Sequence, residues 1–319
     1  MKGLGKIPGT VEEVGAEAED QRIDNFLLRR LKGVPKSHVY QVLRTGQVRV
    51  NSRRVGPDYR LKPGDRVRLP PMRRAEQASR APLAGGPDLW ARTVFEDDAL
   101  AVIDKPAGVA SHGGSGVVCG LIEGLRARRP GLRYLELVHR LDKETSGLIV
   151  VAKRRSALTA LHAQLRAGAV EKSYLALVRG AWRDRDEAVS LPLLKHLNRA
   201  GERHVRVHRD GKAAETHFAA EARYPDLTLM RARLLTGRTH QIRVHLAHLG
   251  HPIAGDEKYG DFDWNRDLAR QGLKRMFLHA EHLAFVHPRS GERVALSAPL
   301  PDELTRFLAS RTGAPGAKP

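Results

Sequence analysis

VHRLDKETSGLIVVAK, residues 138–153, sets a crowded polar loop directly in front of an almost unbroken apolar run. LIVVA has the composition of a strand buried on both faces, so HRLDKETSG is the loop that enters it, and groups hung from a rigid strand are held in place. Within the loop Asp142 has Arg140 and Lys143 close by, and Thr145-Ser146-Gly147 can turn the chain and offer backbone N–H groups. For a lone aspartate, an Asx-turn that merely closes the loop is the commoner role. Around this stretch, strand patterns recur at 148–152, 172–179, 214–223 and 227–235, and helical patterns at about 117–128, 156–167, 239–249 and 301–309. Many of the strands follow one another without a helix between them. The expected class is therefore α+β with mainly antiparallel pairing.

Three further segments bear on Asp142. In DKPAGVASH, 104–112, Pro106 and Gly108 make a sharp turn after an apolar strand and carry Lys105 at its mouth. In EKSYLALVRG, 171–180, Tyr174 interrupts a run suited to aliphatic residues. In LLTGRTHQIRVHLAHLGHP, 234–252, Gly237 ends a strand and Thr239 can cap a helix bearing Gln241, Arg243 and several histidines. Taken singly, a core tyrosine and a surface arginine are ordinary readings of Tyr174 and Arg243. The histidines 240, 245, 248 and 251 raise the question of zinc. That helix, however, carries no Asp or Glu, and the single cysteine of the chain, Cys119, supplies no cluster.

Charge supplies the next constraint. The 319 residues carry 55 Lys+Arg against 36 Asp+Glu, a net +19. The excess is concentrated: residues 21–74 hold 15 Lys/Arg against 3 Asp, whereas residues 1–20 are acidic. A compact basic module points to a polyanion, and to nucleic acid before any other. Within it QRIDNFLLRRLK, 21–32, has helical spacing, a second helix is expected to start at Ser37 and stop at Gly46, VRVN alternates like a strand, and YRLKPGDRVRLP reads as a hairpin turning at Pro63-Gly64-Asp65. Burial of the apolar helix faces against the sheet would leave Arg29, Arg30, Lys32, Lys36 and Arg44 facing outward. The Pro-, Ala- and Gly-rich stretch that follows reads as a linker. The expected division is an extension over 1–20, a basic module over 21–70, a linker over 71–90, a second domain over 91–310 and a disordered tail over 311–319. A lone cysteine, no leader-like stretch and no run of ~18 apolar residues suggest a soluble, cytoplasmic protein.

Together, DKPAG, HRLDKETSGLIVVAK, KSYLALVRG and TGRTHQIRVHLA, in that order, resemble the RluA-type family of RNA pseudouridine synthases, and the basic module resembles the S4-type RNA-binding domain. The resemblance implies a small helix-helix-strand domain followed by a catalytic domain built on a mixed, mainly antiparallel sheet. It makes Asp142 the catalytic aspartate, Tyr174 the active-site aromatic and Arg243 the arginine that pairs with Asp142. It also makes Arg140 the residue pushed into the RNA stack when the target uridine leaves it. Lys105 and Pro106, Leu278 within FLHAEHLAF, and His240 are counted with the substrate-binding group. Arg22, Arg29, Arg30, Lys32, Lys36, Arg44 and Arg49 are counted as RNA-binding.

The implied reaction detaches uridine at N1, turns it and rejoins it through C5, with no cofactor and no metal. A carboxylate can serve as a nucleophile or as a base that helps generate a glycal, and the residue types do not choose between the two. Aspartates in water are already ionised at pH 7, with a reference value of ~3.9. The expected task of Arg243 is thus to keep a carboxylate charged and aimed in a dry pocket, through a bidentate pair. The implied partner is large-subunit ribosomal RNA during ribosome assembly, with the protein a monomer and no membrane involved. Transfer RNA as substrate, a non-catalytic RNA-binding assembly protein and a metal-dependent hydrolase are the competing readings.

Overall fold

The computed structural model describes residues 4–31, 34–75, 88–113, 119–183, 186–197 and 203–312. The chain divides into two compact units, one made of 1–85 with 131–134 and the other of 86–130 with 135–319.

The first unit runs β1 (Leu4–Ile7), β2 (Thr10–Glu13), α1 (Ile23–Arg30), α2 (Lys36–Arg44), β3 (Arg49–Val50), β4 (Arg66–Leu69) and β5 (Met72–Ala75). Apolar residues three and four apart put Ile23, Phe26 and Leu27 of α1 on one face, where they meet Val39, Val42 and Leu43 of α2 and Val48, Val50, Leu61 and Val67 in one core. On β4, Arg66 and Arg68 alternate outward against buried Val67 and Leu69, the period-two pattern of a half-buried strand.

Four expectations change here. Pro35, not Ser37, is the N-cap of α2. Residues 59–62 form no strand, so β4 has no hairpin partner there and pairs instead with β3 and with β2. Residues 10–13, read as an extension, thus form an edge of the sheet. An acidic strand lies against the basic one, and Glu12 pairs with Arg30 at 3.1 Å. Within the stretch read as a linker, Met72–Ala75 pairs antiparallel with β1; residues 76–87, like the tail from 313, lie outside the described residues.

The second unit contains β6 (Thr93–Glu96), β7 (Leu100–Lys105), α3 (Leu121–Arg128), β8 (Glu136–Leu137), β9 (Ser146–Ala152), α4 (Arg155–Arg166) and β10 (Glu171–Arg179). It continues with β11 (Glu187–Ser190), β12 (Leu193–Leu197), β13 (Arg203–Val207), β14 (Glu215–Arg223), β15 (Leu227–Leu234), α5 (Gln241–His248), α6 (Phe262–Arg270), β16 (Leu278–Val286), β17 (Arg293–Ser297) and α7 (Asp302–Thr312). Ten of these strands form one sheet in the order β11-β14-β15-β10-β16-β9-β7-β6, with β17 added on β16 and β8 on β9. All the pairings are antiparallel except β9 with β16. Every residue of β9 is buried, which is why LIVVA does not alternate.

At the entrance to β9 the close approach of two strands demands glycine. Gly147 has φ +108, and a Cβ there would lie 2.3 Å from the Ala280 carbonyl oxygen. The polar loop ahead of it is tied down at three points. Ser111 bonds both the carbonyl and the N–H of Leu141, at 2.6 and 3.0 Å. Lys143 O accepts from Gly108 N at 2.9 Å and from the Lys105 ammonium at 3.2 Å. Arg275 donates to Glu144 O at 3.3 Å and to Ser146 Oγ at 2.8 Å.

Candidate active site

The loop over 138–145, β10, the C-terminal end of α4, the turn ahead of α5, and Leu278 of β16 surround an open cavity of about 890 Å³. Asp142, Tyr174, Arg243, Arg140, His240 and Leu278 all line it, and Asp142 is the one carboxylate among the lining residues. Arg166, Lys172 and Arg238 add positive charge to the wall. A cavity of this size suits a single nucleotide, and its lining suits an anion.

Arg243 sits on α5 with its side chain 8% exposed, and its Nη1 donates to Asp142 Oδ2 at 3.0 Å. Its fork is engaged elsewhere. Nε and Nη2 donate to the two oxygens of Asp256 at 2.8 and 2.7 Å. The bidentate pairing expected between Arg243 and Asp142 therefore belongs to Asp256, and Asp142 receives a single bond. Asp256 is buried and also accepts from the N–H groups of Lys258 and Tyr259, at 2.8 and 3.1 Å. Burial opposes its charge, but Arg243 and these N–H groups hold the carboxyl below its ordinary value. Burial likewise opposes the charge on Arg243, and Asp256 followed by Asp142 holds its pKa above the ordinary arginine value. Asp142 remains partly exposed to the cavity, at 25%. One buried aspartate satisfies the arginine, and the other is left accessible for chemistry.

Asp256 escaped sequence reasoning. The signal was there in GDEKYG, 255–260, where a glycine turn delivers a carboxylate and a tyrosine three apart. That turn is held by α6, also unanticipated: Asn265 accepts from Gly255 N at 2.8 Å and donates to Asp256 O at 2.9 Å.

His240, not Thr239, is the N-cap of α5, and it occupies the left-handed region with φ 55. A non-glycine residue held there stores backbone strain. Its Nδ1 lies 2.7 Å from the Tyr259 hydroxyl, which accepts from Val205 N at 3.0 Å, and its Nε2 lies 3.8 Å from Asp142 Oδ1. Burial is the main reason its pKa falls to about 4, so at pH 7 it is neutral and forms no ion pair with Asp142. Tyr174, 7% exposed, has its hydroxyl pKa raised by burial and then by the Asp142 carboxylate, so the phenol stays protonated.

Lys105 and Pro106 do not line the cavity. Lys105 is wholly buried and donates to the carbonyls of Pro106, Val109 and Lys143 at 2.9, 2.8 and 3.2 Å. Burial, then the nearby Arg275 guanidinium, brings its pKa down to about 7. Its role is to tie the DKPAG turn to the loop that carries Asp142. Lys105→Met would leave the Pro106 and Val109 carbonyls without a donor, while Lys143 O keeps Gly108 N, and should cost at least about 2 kcal/mol, read as a lower denaturant midpoint. An unchanged midpoint would show that the tie is dispensable.

The histidine cluster disperses. His245 is buried between Thr216 Oγ1 and Leu191 O, at 3.1 and 3.0 Å. His251 packs on Trp182, with ring centroids 4.9 Å apart. Among the described residues no group of three or more His, Cys, Asp or Glu is placed to hold a metal.

Of the basic residues in the first unit, Arg22 is held by Asp24 at 2.8 Å, Arg30 by Glu12, and Arg29 lies over the Tyr134 ring at 5.4 Å. Arg44 and Arg49 are exposed. Lys32 and the side chain of Lys36 lie outside the described residues.

Comparison with known proteins bears on both units. The family described as RNA pseudouridylate synthase matches residues 99–248, and the S4 domain matches residues 21–67. The ribosomal large subunit pseudouridine synthase C of Escherichia coli O157:H7 is 52% identical over 300 residues, covering 92% of this chain and 94% of that protein. Its counterpart in Pasteurella multocida is 50% identical over 299 residues, covering 92% and 91%. The solved structure of human RNA pseudouridylate synthase domain containing 4 shares the fold, with a TM-score of 0.58 at 24% identity over 70% of this chain and 94% of that one.

Proposed function

The chain belongs to the RNA pseudouridylate synthase family, and from that membership we propose that it isomerises particular uridines of large-subunit ribosomal RNA to pseudouridine, with Asp142 as the catalytic carboxylate. The observation that carries the role of Asp142 is its position as the single carboxylate in an otherwise basic cavity, held by Arg243 beside Tyr174. The relatives at 50 to 52% identity, named for the large ribosomal subunit, support the choice of RNA. On this reading the protein works as a monomer in the cytoplasm, on RNA in course of assembly; none of its described helices is long and apolar enough to cross a membrane.

The glycosidic bond is out of reach inside a stacked helix, so the target nucleotide is flipped into the cavity at a cost of a few kcal/mol. Arg140, exposed at the cavity wall, stacks where the base was and offsets part of that cost. Tyr174 lies against the uracil. Because its hydroxyl stays protonated, it orients the base rather than abstracting the C5 proton as a phenolate. Asp142 then either attacks the nucleoside or removes a ribose proton, uracil is released at N1 and turned, and C5 forms the new bond to C1′ as Asp142 is set free or the ribose proton is returned. C5 then loses its hydrogen to solvent and N1 gains one, so that the nucleotide keeps its composition. The exposed arginines of the first unit hold phosphates of the RNA, which makes binding salt-dependent.

The test is to incubate the purified protein, without added cofactor, with transcripts of large-subunit ribosomal RNA, small-subunit ribosomal RNA and transfer RNA, and to map pseudouridine in each. New pseudouridines at a few positions of the large-subunit transcript alone are expected. Modification confined to transfer RNA would replace the substrate, and no modification of any transcript would overturn the reading.

A further inference from the structure

Lys172 is unlike the other cations around the cavity. It stands on β10 two residues before Tyr174, and both side chains line the cavity. It is only partly exposed, and no described residue accepts a hydrogen bond from its ammonium or pairs with it. Arg243, another cation lining the cavity, is already matched by Asp256 and Asp142. His139, also in the wall, accepts from Val150 N through Nε2 at 3.2 Å and is neutral, its pKa brought down to about 3 by burial and then by the charge on Lys172. Arg166 and Arg238 are further cations. Beside Lys172 the wall lacks a side chain: a Cβ on Gly237 would come 3.7 Å from Nζ, so the ammonium faces a bare stretch of backbone where a bulky ligand can approach.

An ammonium taken partly out of water without a counter-ion is unfavourable, and a site that keeps one is built for an anion that arrives with the ligand. Uracil is neutral, and the anion of an RNA nucleotide is its phosphodiester. Two residues along a strand span about 6.6 Å, close to the separation between a nucleobase and the phosphate of the same nucleotide. We propose that Lys172 binds the phosphodiester of the flipped nucleotide while Tyr174 meets its base, so that the two residues together measure one nucleotide. The inference rests on the reading of the cavity as the uridine site.

The test uses the full chain and an RNA fragment carrying a uridine that the wild-type protein modifies, which first establishes that reading independently. Lys172→Met should weaken RNA binding by about tenfold and make the dependence of log affinity on log salt shallower by about 0.7 to 0.9. Lys172→Arg should restore the slope. The thermal midpoint of Lys172→Met should be equal to or higher than that of the wild type, because an unpaired ammonium is replaced by an apolar chain of similar length. A lysine kept for structure would lower the midpoint and leave the slope alone. Single methylphosphonate substitutions through the target nucleotide and its neighbours then locate the phosphate. The one that makes the wild-type slope shallower by about 0.7 to 0.9 should have no further effect on Lys172→Met. An unchanged salt slope in Lys172→Met overturns the proposal, as does finding that the methylphosphonate felt by the wild type but not by Lys172→Met lies outside the target nucleotide.

Discussion

Asp142→Asn should lower the single-turnover rate of pseudouridine formation by at least ~10⁴-fold, the scale on which loss of a reacting group is felt in other enzymes, with RNA affinity unchanged or slightly increased. The amide has the shape of the carboxylate and can still accept from Arg243 Nη1, so the loop pinned at Leu141, Lys143 and Glu144 keeps its course. What the change removes is a negative charge and a lone pair basic enough to attack carbon or take a proton. Arg243 does not become an orphan, since Asp256 holds the other two arms of its fork. Binding gains because a like charge leaves a site for a polyanion. Quenched-flow assays on the mapped RNA, with filter binding in parallel, measure both quantities. Turnover near the wild-type rate would remove Asp142 from the chemistry.

Asp256→Asn should be damaging in a different way. Arg243 is buried, and the substitution takes its fully buried counter-ion and turns one of two acceptors into a donor that faces the guanidinium. Breaking a buried ion pair in this manner costs ~3–5 kcal/mol. Asp256 does not line the cavity, so kcat should fall as Arg243 loses its aim while KM stays close to the wild-type value. Combining Asp256→Leu with Arg243→Met separates the two effects. With both charges gone the unpaired buried ion disappears, and part of the stability lost in either single variant should return. Activity should not return, because Asp142 then lacks its arginine. Denaturant midpoints and steady-state kinetics on the four proteins of this cycle decide the matter. Recovered activity in the double variant would mean that Arg243 serves the fold alone.

Much of the catalytic unit was legible from local pattern. LIVVA declared a strand closed on both faces because nothing polar interrupts it, and it is β9, central in the sheet and buried throughout. The strands expected at 172–179, 214–223 and 227–235 appear at Glu171–Arg179, Glu215–Arg223 and Leu227–Leu234. What escaped notice had weak local signals. The acidic strand Thr10–Glu13 has mostly exposed side chains and no alternation, and only its partner Arg66–Leu69 makes it a strand. The helix Phe262–Arg270 is short and strongly polar, and its start depends on Asp261 accepting from the N–H groups of Asp263 and Trp264.

Sequence by itself determined the family resemblance and the basic character of the first module, and through that resemblance it singled out Asp142, Tyr174 and Arg243, which line one cavity. Those conclusions depend on residue type and order, which the chain states directly. Tertiary structure alone decided how charge is shared among them. Whether Arg243 grips one aspartate or two, whether Lys105 faces substrate or three carbonyls, and whether Lys172 has a partner all depend on which groups, up to a hundred residues apart in the chain, come within ~3 Å of each other. Hydrogen bonds and desolvation act over that distance, and no spacing along the sequence encodes it.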